Sequence, residues 1–157
     1  MKRLVITEYE GFNVPSDYNL DLTKTNIKDC TGCWSCWIKT PGRCIHKDLD
    51  TFYKAYLNAD KVIIFSRISQ GFVSGNLKSL FDRMLPLYLP FITYKTGESM
   101  HVPRYAKYPE VEVYYQGEFM NRNDQKIYED YIHRTFYQFH NKCEVVKPIA
   151  EFTMEKI

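Results

Sequence analysis

The stretch Lys61-Val62-Ile63-Ile64-Phe65 reads as a continuous apolar strand. A strand without polar alternation must be covered on both faces, as parallel sheets require. Helical patterns flank it. Upstream, Asp48 is placed to cap a helix running to about Ala59, with Leu49, Phe52, Tyr56 and Leu57 on one face. Downstream, Ser74 can cap a helix in which Leu77, Leu80, Phe81, Met84, Leu85 and Tyr88 recur at helical spacing. Pro86 lies inside that pattern and ends or kinks it. Three more strands follow from the pattern: Leu4-Val5-Ile6, the alternating segment from Tyr18 to Leu22, and Val111 to Tyr115. A final helix starts at Asn123 or Asp124 and carries Tyr128, Tyr131, Ile132, Thr135 and Phe139 on one stripe, before a last strand from Cys143 to Val146. Strands alternating with helices give an α/β domain with a mainly parallel sheet. Residues 89 to 110 hold four prolines and glycines and no steady period, and read as a long loop of the kind that serves function or a partner.

The chain of 157 residues is expected to form a single domain, residues 1–157, with one core. Its formal net charge of +2 gives no case for a nucleic-acid partner or an anionic membrane surface. There is no apolar stretch of transmembrane length, and the start at Met1-Lys2-Arg3 lacks the apolar run of a secretory signal. A cytoplasmic location with reduced cysteines is the expectation. Aromatic residues reach 16%, which an aromatic-rich core or an interface would use.

Cys30, Cys33, Cys36 and Cys44 follow a C-x2-C-x2-C-x7-C pattern, so four of the five cysteines fall within fifteen residues. Steps of three let successive sulfurs turn toward one point, and Pro41-Gly42 bends the chain for the fourth. Thiolates converging this way hold an iron–sulfur cluster or a zinc ion, or work as a dithiol pair. Thiols packed beside Trp34 and Trp37 are the plain alternative. The first three sulfurs are expected near one another, with Cys44 the freest member. His46, His101, His133 and His140 are scattered, and Cys143 reads as a small core residue.

The run from Ser66 to Arg83 resembles the ring-binding loop of the NADPH-dependent FMN reductases and iron–sulfur flavoproteins, in the flavodoxin-like superfamily. Gly71, Ser74, Gly75, Leu77, Lys78, Asp82 and Arg83 keep that pattern, and the cysteine segment is similar to that of the iron–sulfur branch. The resemblance implies a flavodoxin-like three-layer sandwich with a five-stranded sheet in order 2-1-3-4-5. It implies an FMN-dependent NAD(P)H oxidoreductase, with Ser66, Arg67, Ile68, Ser69, Gln70, Gly71 and Ser74 against the flavin and Cys30, Cys33, Cys36 and Cys44 as metal or cluster ligands. Homo-oligomers, dimers or tetramers, are implied as well.

The chain departs from the pattern in two places. The FMN phosphate loop and first helix are missing: the first two strands are separated by about a dozen residues, close to the minimum for a parallel crossover, and Glu8 and Glu10 stand where a phosphate would go. Arg67 and Ser69 replace a proline and a tyrosine. Weak FMN binding is therefore expected. So is an apolar sheet face shielded by the final helix alone, which self-association would cover. Two functions remain open at this point: an FMN reductase-like enzyme, or a non-catalytic relative that has lost FMN and serves as an oligomeric binding or structural protein. An iron–sulfur or zinc carrier without flavin is a third.

Overall fold

The computed structural model describes residues 1–12 and 14–154; Asn13, in the segment between the first two strands, and residues 155–157 lie outside it. Strand β1 (Arg3–Thr7) is followed by β2 (Tyr18–Asp21), short helix α1 (Ser35–Ile38), α2 (Asp50–Asn58) and β3 (Lys61–Ser69). Then come β4 (Phe72–Val73), α3 (Gly75–Asp82), β5 (Tyr88–Thr93), β6 (Met100–Pro103), β7 (Glu110–Gln116), α4 (Arg122–Gln138) and β8 (Val145–Pro148). The main sheet runs β2-β1-β3-β7-β8, and all four of these pairings are parallel. This is the expected 2-1-3-4-5 order. Among the described residues no helix joins β1 to β2.

The hand of the crossovers decides which face each helix covers. A parallel crossover is right-handed, and the connections β2 to β3, β3 to β7 and β7 to β8 all step across the sheet in one direction. Helices α2, α3 and α4 therefore share one face. There Phe52, Tyr56, Leu77, Leu80, Tyr128, Ile132 and Phe136 pack on Leu4, Ile6, Val62, Ile64, Val111 and Val113. Each large side chain buried here contributes about 1.5–3 kcal/mol. Only β1 to β2 steps the other way, over the opposite face.

That opposite face corrects one expectation. The final helix does not shield it, and its strand residues are not bare. Val5, Ile63 and Phe65 are 0% exposed, under a thin layer of Tyr9, Phe12 and Val14 from the β1–β2 connection and Ile149 and Phe152 from the C-terminal turn. Aromatic side chains do the work of the missing helix: Phe12 and Phe152 both close on Phe65, at 4.4 and 4.9 Å between ring centroids.

Several element ends also differ from expectation. Helix α2 starts without a side-chain cap, because Asp48 is turned toward Arg83 instead. Helix α3 is capped by Ser74 as expected, the hydroxyl accepting from the Leu77 N–H at 3.1 Å. It ends at Asp82, the residue whose carbonyl a helical Pro86 would clash with and leave unbonded. Pro86 lies in a short 3-10 turn, Leu85–Leu87. Helix α4 is capped by Asn121, whose Oδ1 accepts from the Asp124 N–H at 3.0 Å, two residues before the expected start. The last strand begins at Val145 rather than Cys143.

The expected long loop contains an antiparallel ribbon, β5 with β6. Pro90 and Pro103 had masked it. Proline lacks a ladder donor and is tolerated on the open edges that a two-stranded ribbon offers.

Gly117 ends β7 with φ 142°, and a Cβ there would lie 2.6 Å from the Ile68 Cβ. Gly117→Ala should cost about 1–3 kcal/mol through overpacking, which thermal unfolding would measure. An unchanged midpoint would show that the end of β7 is free to shift.

Candidate functional site

Two features stand out, one beside the cysteine segment and the end of α3 and the other at the turn after β3. The first is a cleft whose wall includes Cys30, Cys33, Cys36 and Cys44. Trp34 takes a left-handed conformation, φ 61°, and starts α1, which carries Cys36. After α1, Gly42, at φ 81°, turns the chain back. Its N–H donates to the Cys36 carbonyl at 3.0 Å, which returns Cys44 to the same cleft. Trp37 anchors the segment, its indole N–H donating to the Tyr88 carbonyl at 3.0 Å, and Trp34 packs edge-on against it at 5.4 Å.

All five cysteines are free thiols. Cys30 and Cys33 are exposed, while Cys36 and Cys44 are half-buried. Burial, followed by the neighbouring Cys44, Cys30 and Cys33, raises the Cys36 thiol above its ordinary pKa. Hydrogen bonding from the Ser35 side chain lowers that of Cys33. Cys143 stands apart and, as expected, is mostly packed in the core, where burial pushes its thiol up to about 12. Among the described residues no three or more His, Cys, Asp or Glu side chains are gathered as a single metal ion needs. The four cysteines instead surround a shared space.

Arg83, in the wall of that cleft, is 1% exposed. Its guanidinium pairs with Asp48 and donates to the Lys28 carbonyl at 2.7 Å, just before the first cysteine, and Nε–H has no partner. Desolvation works against the Arg83 charge, yet the Asp48 hydrogen bond raises its pKa on balance. Burial likewise works against the Asp48 carboxylate, but the bond from Arg83 outweighs it and holds that pKa below the usual range. The sequence showed Arg83 only as part of a pattern. A cation inside an apolar helical stripe was the available signal, and the partner 35 positions upstream was not.

The second feature is the loop after β3. Ser66 is buried and its hydroxyl lies 2.5 Å from the Tyr128 hydroxyl, so it braces the sheet against α4. Arg67 is exposed, with its guanidinium 5.7 Å over the Tyr9 ring. Ile68 and Ser69 pair with Val73 and Phe72, and Gln70 and Gly71, at φ 51° and 76°, form the turn. Ser74 caps α3. The groove outside this turn is bounded by Gln70, Gly71 and Phe72 on one side and by Phe119, Met120 and Ile127 on the other. Glu8, expected to face the phosphate position, has turned inward: its carboxylate accepts from the Arg67 N–H at 2.7 Å and from the Ser74 hydroxyl. Desolvation raises its pKa. Glu10 stays exposed.

A parallel sheet with this strand order and a ligand crevice at the reversal between its first and third strands defines the flavodoxin-like class. No family model matches the chain. An iron–sulfur flavoprotein of Archaeoglobus fulgidus is 32% identical over 97 residues, which is 60% of this chain and 42% of that protein. An iron–sulfur flavoprotein of Methanocaldococcus jannaschii is 37% identical over 73 residues, 46% of this chain and 37% of that protein. These matches span less than half the length of the curated relatives. Among solved structures, an azoreductase from Bacillus anthracis superposes with a TM-score of 0.58 at 11% identity, over 94% of this chain and 87% of that one. An FMN-dependent NADH-azoreductase from the same species, in complex with FMN, gives 0.51 at 11% identity, over 99% and 91%. The chain has the flavodoxin-like fold, and its sequence likeness is to proteins named iron–sulfur flavoproteins.

Proposed function

We propose that this chain is an NAD(P)H-linked redox protein of the iron–sulfur flavoprotein type. Cys30, Cys33, Cys36 and Cys44 would hold an iron–sulfur cluster, and the turn at Ser69, Gln70 and Gly71 would receive a flavin of the FMN type. The observation that carries this reading is the single cleft shared by the four thiols, next to a buried arginine. Four cysteines lining one cleft match the ligand number of an iron–sulfur cluster.

When bound, a flavin with a cluster converts a two-electron hydride donor into single electrons. The chain's own residues supply position and electrostatics. Trp37 lines one side of the cleft, Arg83 would offset the charge of the thiolates, and the Gln70–Gly71 backbone would present a flat edge to a ring. Anaerobic reconstitution with iron and sulfide, followed by visible spectroscopy and iron, sulfide, zinc and flavin analysis, tests the reading. A broad thiolate-to-iron absorption band that bleaches with NADPH and added FMN is the expected result. Protein that stays colourless and retains no iron would sink it.

Glu8 favours a second reading, in which the fold persists without FMN and serves as an oligomeric binding protein. Self-association as a dimer or tetramer fits either reading. The sheet face that was expected to drive it is covered, but Phe91 and Tyr94 on the β5–β6 ribbon are 64% and 71% exposed. Sedimentation equilibrium should give a dimer or tetramer that Phe91→Glu with Tyr94→Glu dissociates; a wild-type monomer at micromolar concentration would refute this. Among the described residues no helix is long and apolar enough to cross a membrane.

A further inference from the structure

In a doubly wound sheet the ligand crevice opens where the strand order reverses, here between β1 and β3. The protein's own anion fills that point. Glu8 directly follows β1, is 8% exposed, and its N–H donates to the carbonyl of Phe65 in β3 at 3.0 Å. Its carboxylate takes the Arg67 N–H and the hydroxyl of Ser74, the residue that caps α3. A backbone N–H and a hydroxyl at a helix start are the donors with which such crevices hold a phosphate, and here they are already engaged. The groove that continues outward keeps apolar surface at Phe72, Phe119 and Met120, and its ionisable side chains, Glu118 and Asp124, are both acids. Surface for a flat ring remains, and the cation beside this point, Arg67, lies over the Tyr9 ring and already faces the Glu8 carboxylate.

We infer that the site selects flavins by charge: it takes an uncharged flavin of the riboflavin class at least as tightly as FMN, and Glu8 sets that preference. The inference rests on the flavin half of the proposed function. A phosphate brought to this point meets a buried carboxylate and loses the donors it needs, and each charge-assisted hydrogen bond is worth enough to change affinity about tenfold.

Titration of the purified chain with riboflavin and with FMN, followed by quenching of flavin fluorescence, tests the inference. Wild type, Glu8→Gln and Glu10→Gln are compared, with Glu8→Ser as the second variant in case glutamine disturbs the loop. Wild type should bind riboflavin as tightly as FMN or tighter. Removing the Glu8 charge should improve FMN by about tenfold or more while moving riboflavin by no more than about twofold. Glu10→Gln, which removes an exposed charge, should change the ratio little. Tighter FMN than riboflavin in wild type overturns the inference and leaves the proposed function standing. Equal shifts for both flavins in the Glu8 variants, or an equal effect of Glu10→Gln, also overturn it. Binding of neither flavin by any variant overturns it together with the flavin half of that function.

Discussion

Replacing Arg83 by methionine should lower the stability of the fold by about 3 kcal/mol, the lower end of what breaking a buried ion pair costs. Several contacts go at once. The Lys28 carbonyl loses its donor, and Asp48 is left without its cation. The Asp48 side chain is 28% exposed, so water recovers part of its solvation, which is why the lower end applies. For a chain of this size the midpoint of thermal unfolding should fall by about 6–12 °C. Asp48→Asn in the Arg83→Met background should recover part of the loss, because the stranded carboxylate is then gone. The pH dependence follows from the lowered Asp48 pKa. The stabilisation is present above the ordinary carboxylate range and is lost as pH falls through the lowered value, so wild type and variant should converge in acid. A stability difference under 1 kcal/mol at neutral pH would show that the cysteine segment does not depend on this pair.

Cys36→Ser should nearly abolish iron retention and the associated visible band after anaerobic reconstitution, whereas Cys143→Ser should leave both at wild-type levels. Cys36 lies on α1, half-buried, and lines one cleft with the other three cysteines. A serine hydroxyl there is a far poorer ligand than a thiolate. Cys143 lies near the start of β8, and its backbone carbonyl lies 2.9 Å from the His133 ring, so its thiol is outside the cleft. Iron analysis of the two variants side by side checks the assignment. Equal iron in Cys36→Ser and wild type would remove the cysteine cleft from the proposed function.

The parts of this molecule that depend on neighbours in the chain were legible without a structure. Apolar content marked Val62–Phe65 as a doubly covered strand, and it lies at the centre of the sheet. Ser74 caps α3, because an N-cap bonds only a few positions ahead. The shortness of the β1–β2 connection excluded a helix by length alone.

What remained hidden depends on distant contacts. Which face α4 covers follows from the direction of each step across the sheet, and strand periodicity carries no such direction. The β5–β6 ribbon was obscured because proline penalties apply to central strands and not to open edges. The Glu8 carboxylate reads in sequence as a charge aimed at solvent or ligand, yet it finds Arg67 and Ser74 about sixty positions away. Arg83 likewise meets Asp48 across α2 and β3. The local pattern thus determined the strands of the main sheet and the three helices that cover it. Only the tertiary structure decided where the buried charges went, because desolvation forces each of them to find a partner that sequence spacing does not specify.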